Sequence, residues 1–156
     1  MDKQRILDAI LEKLAVEAKT LAQAAMTAHQ AATHEDNKAR SKYETLALEA
    51  SYIAQGQANR AAELAAAVKL YERLEPVPFL AETPISPGAL VTFDETGGRI
   101  GRVFLGPDQG GLKVTVDGLE VVVITEPSPL GQALLGLTLD EEFVFRGKKC
   151  LITSVE

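Results

Sequence analysis

Cysteine occurs once in the 156 residues, histidine twice and tryptophan not at all. The lone Cys150 excludes an internal disulfide framework, and one cysteine with His29 and His34 supplies too few soft ligands for a metal cluster. Proline is missing before residue 76, and glycine occurs there only as Gly56. Nothing punctuates the first half. No apolar run reaches the ~20 residues needed to span a bilayer. Basic side chains are also short in supply. Lys and Arg total 16 against 22 Asp and Glu, a net charge of −6, which excludes a protein that coats nucleic acid by bulk attraction. The opening MDKQRILDAILEKL is charged and amphipathic, unlike an export signal. The expectation is therefore a soluble, cytoplasmic chain, and 46% hydrophobic content is enough to build the core of one ordinary domain or two small ones.

What is present divides at one place. Of 22 alanines, 19 precede residue 81, whereas eleven of twelve glycines and all seven prolines lie at or after residue 76. Alanine costs least in a helix, while Gly and Pro bound strands and turns, so the composition predicts helices followed by β-structure. The expected organisation is a helical hairpin over 1–75, a semi-rigid proline-rich linker over 76–86 and a β domain over 87–156.

In the first half, Ile6, Ile10, Leu14, Ala18, Leu21, Ala25, Ala28 and Ala32 recur at three or four residues and place one apolar stripe along a helix. A second stripe is expected through Leu46, Ala50, Ile53, Gln57, Ala61, Leu64, Val68 and Tyr71. Between them, residues 33–38 carry no apolar side chain, so the two helices are predicted to fold back as an antiparallel two-helix coiled coil with its tip at about 33–42. A helix from about residue 3 to 32 is roughly 45 Å long.

The second half alternates β-type runs with turn signals. Leu90–Phe93 and Ile100–Phe104 flank Glu95-Thr96-Gly97-Gly98, and Leu112–Val116 meets Leu119–Thr125 across Asp117-Gly118, a tight-hairpin signal. In Ser128-Pro129-Leu130-Gly131-Gln132-Ala133-Leu134-Leu135-Gly136, Ser128 suits an N-cap, Pro129 the first helical position and Gly136 a left-handed stop. A last hairpin is expected around Arg146-Gly147-Lys148. The fold class is α+β, with a small antiparallel sheet, one short helix against it, and Cys150 as a core thiol.

A helical hairpin joined to a β domain containing S-P-L-G-x-A-L-L-G resembles the GreA/GreB family of bacterial transcript cleavage factors, over nearly the whole chain. Ser128–Gly136, followed by Asp140-Glu141-Glu142-Phe143, is similar to that family's S-P-x-G-x-A-L-L-G, acidic turn and strand. The resemblance implies an FKBP-like C-terminal fold. Tyr43, followed by Glu44, Leu46, Ala47 and Glu49, is similar to the end of the family's G-D-L-x-E-N-A-E-Y tip segment. In that register the motif's Asp falls on Asp36, while its two Glu positions fall on Ala39 and Lys42. Glu35 is the neighbouring acid that stands in for them.

The resemblance further implies a regulator of transcription elongation whose coiled coil enters the secondary channel of RNA polymerase. Glu35 and Asp36 are then the candidate catalytic carboxylates, which help hold Mg²⁺ in trans at the polymerase centre, the chain having no cofactor of its own. Lys38, Arg40, Lys42 and Tyr43 are the candidate polymerase contacts, and Arg99, Arg102, Arg146, Lys148 and Lys149 are candidates for docking through the β domain. On this reading the chain is not an enzyme and contacts neither membrane nor specific nucleic acid. Three alternatives stay open: a non-cleaving channel regulator, a peptidyl-prolyl isomerase suggested only by the FKBP-like expectation, and a coiled-coil adaptor.

Overall fold

The computed structural model describes residues 1–33 and 41–156, with the side chains of all but 32, 33 and 41–43 among them. Its architecture is α+β. Two long helices, α1 (Lys3–Thr33) and α2 (Ser41–Glu72), precede six strands and one short helix. The strands are β1 (Leu90–Glu95), β2 (Arg99–Leu105), β3 (Lys113–Val116), β4 (Leu119–Ile124), β5 (Glu142–Phe145) and β6 (Lys148–Val155), with α3 (Pro129–Leu134) between β4 and β5. The chain forms two compact units, Glu12–Val68 and Met1–Leu11 with Lys69–Glu156.

Within Glu12–Val68 the α1 stripe lies where its spacing predicts: Leu14 and Ala25 are buried, and Ala18, Leu21 and Ala28 half-buried. On α2 the seam differs by one position. Ala54, Ala61, Leu64 and Ala67 are buried and Ala47, Ala50, Gln57 and Val68 half-buried, whereas Leu46 and Ile53 are 54% and 57% exposed. Positions 47, 50, 54, 57, 61, 64 and 68 alternate steps of three and four, the heptad spacing of packed helices. Alanines at 47, 50, 54 and 61 permit close backbone approach, which Leu46 and Ile53 in the seam would prevent. Ile53→Ser should therefore shift stability by no more than about 0.5 kcal/mol, while Ala54→Leu should cost about 1–3 kcal/mol by overpacking, as read from helical signal in urea titrations.

The sheet has the order β3-β4-β2-β1-β6-β5. Four of its five pairings are antiparallel, three of them the hairpins that the turn signals predict and the fourth joining β1 to β6, but β2 and β4 run parallel, pairing Val103 with Val122 and Leu105 with Ile124. The sheet is mixed, not purely antiparallel. The chain leaves β2, and it is the second strand of the Asp117-Gly118 hairpin, not the first, that returns beside it.

Strand alternation gives the sheet two apolar faces. Val91, Phe93, Val103, Ile124, Phe143, Cys150 and Ile152 pack in one cluster with Leu134 of α3. Ile85 joins them: its N–H donates to the Leu137 carbonyl at 2.8 Å, and the Gly136 N–H returns a bond to its carbonyl at 2.9 Å. Cys150 is thus a core thiol, and burial pushes its pKa up. Leu90, Phe104, Val121 and Val123 are also buried and face the other side.

On that side Tyr71 is almost fully buried, and its hydroxyl donates to the Asp108 carbonyl at 2.7 Å. A Cβ on Gly106 would stand 2.2 Å from that hydroxyl, so only glycine leaves room for it. Burial, with Asp108 adding to it, pushes the Tyr71 phenol well above its usual range. Tyr71→Phe should cost about 1 kcal/mol, the net value of one hydrogen bond. Because the folded phenol holds its proton more tightly than the unfolded one, its contribution is complete below about pH 10 and is lost as pH rises through the folded value. The stability gap between wild type and Tyr71→Phe should accordingly shrink in urea titrations above about pH 10.

Candidate functional site

The carboxylates Glu35 and Asp36, with Lys38 and Arg40, lie outside the described residues, between α1 ending at Thr33 and α2 starting at Ser41. Lys42 and Tyr43 fall in the first turn of α2, and their side chains are not described. What is described is the adjoining surface of α2. Leu46, Leu48, Tyr52 and Ile53 are 54%, 54%, 70% and 57% exposed, so the start of this helix presents bulky apolar side chains that the seam does not use. The signal in the sequence is the run of alanines at heptad spacing, Ala47, Ala50 and Ala54, which leaves the larger neighbours Leu46 and Ile53 on the outside.

The Ser128–Gly136 segment folds as a capped turn of helix. Ser128 is extended, and its Oγ accepts from the Gly131 N–H at 3.1 Å while its hydroxyl donates to the Thr125 carbonyl at 2.6 Å. Pro129 begins the helix, Leu134 enters the core, and Gly136 turns the chain at φ +82°. Gly131 is the tightest position: a Cβ there would lie 2.0 Å from the Thr125 carbonyl oxygen. In the acidic turn that follows, the Glu141 carboxylate accepts from the Thr138 N–H at 2.6 Å, and Asp140, at φ +66°, donates its N–H to the Ile152 carbonyl at 3.0 Å. These bonds hold the segment in the fold.

Of the basic residues singled out for docking, Arg99 and Arg102 sit on β2, Arg146 in the β5–β6 turn, and Lys148 and Lys149 on β6. Strand register brings Arg99 opposite Glu95, and Glu95 is held by Lys148 at 3.2 Å. Among the described residues no group of His, Cys, Asp and Glu can hold a metal ion, and no helix is long and apolar enough to cross a membrane.

The described residues define a class of protein by form: two long helices in sequence, followed by a mixed sheet backed by one capped helix. The structure is similar over nearly its full length to the crystal structure of GreA factor homolog 1 (Gfh1) of Thermus thermophilus, with 15% identity, 96% of this chain and 94% of that chain covered, and a TM-score of 0.38. A second structure, of the transcription factor Gfh1, gives 16% identity, 96% and 92% coverage and the same TM-score of 0.38. Overlays that loose assign no residue a role. No family model and no curated protein matches the sequence.

Proposed function

We propose that this chain is a Gre-like transcription elongation regulator that binds bacterial RNA polymerase and presents its hairpin tip to the polymerase active centre through the secondary channel. The observation that carries the reading is a combination on one chain: two heptad-seamed helices of 31 and 32 residues, with Glu35-Asp36 between them in sequence, and a β domain with the Ser128-Pro129-Leu130-Gly131 cap. At 1.5 Å per residue each helix is about 46–48 Å long, a reach suited to a buried catalytic centre. The bulky apolar side chains exposed at 46, 48, 52 and 53 support a helix that a partner covers.

Glu35 and Asp36 would offer hard carboxylate oxygens to Mg²⁺ in the polymerase, where two-metal hydrolysis needs such ligands around ions about 3.5–4 Å apart. The chain would supply ligands to another protein's metal and would have no nuclease activity alone. Its action would be a donation in trans.

A second reading within the same architecture is a channel-binding regulator that does not stimulate cleavage. It is favoured by Ala39 and Lys42 at the two acidic positions of the family's tip segment, and by the positive charge of Lys38, Arg40 and Lys42, which opposes a cation. Addition of the protein to stalled, backtracked elongation complexes with Mg²⁺ tests the first against the second. Release of short 3′ RNA fragments supports a cleavage factor. Unchanged RNA with altered elongation supports the second reading, and no effect on either removes the proposal.

A further inference from the structure

The sheet ends in two edge strands, β3 and β5, and β5 is hydrogen-bonded to β6 alone. Edge strands commonly carry a lysine or proline that discourages pairing with another chain. β3 begins with Lys113, whereas β5 reads Glu-Phe-Val-Phe with neither, and its Val144 is 63% exposed.

Register fixes which backbone groups of β5 face outward. Arg146 and Gly147, at φ +51° and +76°, form the two-residue turn into β6, so the flanking Phe145 and Lys148 exchange both ladder bonds. The Ile152 N–H, which donates to the Glu141 carbonyl at 3.0 Å, keeps the same alternation at the other end. Val144, opposite Lys149, therefore directs its N–H and carbonyl away from β6, and Glu142, opposite Leu151, does the same.

This edge is complementary to itself. In an antiparallel pair of two β5 strands with the two Val144 residues facing each other, those valines exchange both backbone bonds across a twofold axis. Phe143 of each copy then falls opposite Phe145 of the other, in the non-hydrogen-bonded position where side chains come closest, and Glu142 falls opposite Arg146. Among the described residues neither Glu142 nor Arg146 has an ion-pair partner within the chain. Nor does the net charge of −6 gather here: over residues 140–149, Asp140, Glu141 and Glu142 balance Arg146, Lys148 and Lys149.

We infer that β5 is a self-association edge through which two copies of this chain pair into one continuous sheet, in the register centred on Val144. A uniformly acidic or basic foreign strand would match only one end of the edge, whereas a second copy matches both. Four residues a side make the pairing weak and reversible. It concerns the sheet unit alone and does not depend on what the helical tip does.

Sedimentation velocity of the full chain at rising concentration tests it. The wild-type chain should pass reversibly from monomer to dimer, and salt should oppose the dimer. Glu142→Arg and Arg146→Glu each set like charges at both ends of the register and should weaken association at least ~tenfold. An equal mixture of the two variants has an opposite pair at each end and should recover the wild-type level, which also shows that both are folded. Val144→Pro removes an outward N–H that makes no bond to β6 and should abolish the dimer, with protection of the Cys150 thiol confirming an intact sheet. A wild-type chain that stays monomeric overturns the inference and leaves the edge to a foreign strand. So does association that either charge variant leaves unchanged, a mixture no better than its components, or a dimer that survives Val144→Pro.

Discussion

Gly131→Ala should destabilise the sheet unit by about 3 kcal/mol or more, the upper end of what overpacking costs. The added carbon would lie 2.0 Å from the Thr125 carbonyl oxygen and 3.0 Å from Ser128 Oγ, and the first of these is backbone that cannot swing aside. Relief requires α3 to move off the sheet, which takes Leu134 out of the core and frees the bonds that fasten Gly136 to Ile85. Ser128→Ala removes only the cap and should cost about 1 kcal/mol, so the two substitutions are separable by magnitude. Far-UV signal is dominated by α1 and α2, so the measurement should follow the single thiol. Cys150 is in the core of the sheet unit, and pulse labelling with a maleimide across a urea gradient reports that unit alone. A midpoint for Gly131→Ala equal to that of Ser128→Ala would show that the turn is not closed in this way.

If the chain is a cleavage factor as proposed, replacement of both Glu35 and Asp36 by Ala should reduce cleavage of backtracked transcripts by about 10–100-fold, the scale seen when groups that support a catalytic metal are removed. Binding to the polymerase should be retained, because the apolar surface of α2 and the β domain are untouched. Raising Mg²⁺ should restore part of the activity if the carboxylates act by holding the ion. Full activity in the double variant would exclude these two acids from the chemistry. Loss of binding together with activity would make them contacts instead.

Much of this architecture is legible in the order of residues. The Ala-rich, proline-free first half specifies two long helices, and Asp117-Gly118, Arg146-Gly147 and Ser128-Pro129 fix two hairpins and the start of α3 within a residue or two. Two features were not legible. Leu46 and Ile53 are spaced as a seam should be, yet size decides against them, since Ala47, Ala50 and Ala54 pack more closely; a periodicity argument that weights every apolar residue alike misses this. The parallel pairing of β2 with β4 joins strands that are not consecutive, and no local turn signal encodes it.

The same limit applies to function. Arg99 and Arg102 are far from Arg146 in sequence, and only the sheet order brings them to one concave surface of the β domain. Conversely, Glu35 and Asp36 are conspicuous in the sequence as acids in a polar turn but lie outside the described residues. The S-P-L-G segment, the most specific piece of the resemblance, serves the fold: its hydroxyl, proline and glycines each satisfy a demand of the helix end.

Engagement of RNA polymerase by the helical hairpin is measured by equilibrium binding of the labelled full chain to purified bacterial core polymerase. Binding should be saturable and should weaken when two heptads are removed from α1 and the matching two from α2, with the thiol-labelling midpoint of the sheet unit unchanged. Absence of binding by the full chain, or equal binding by the shortened one, would contradict it.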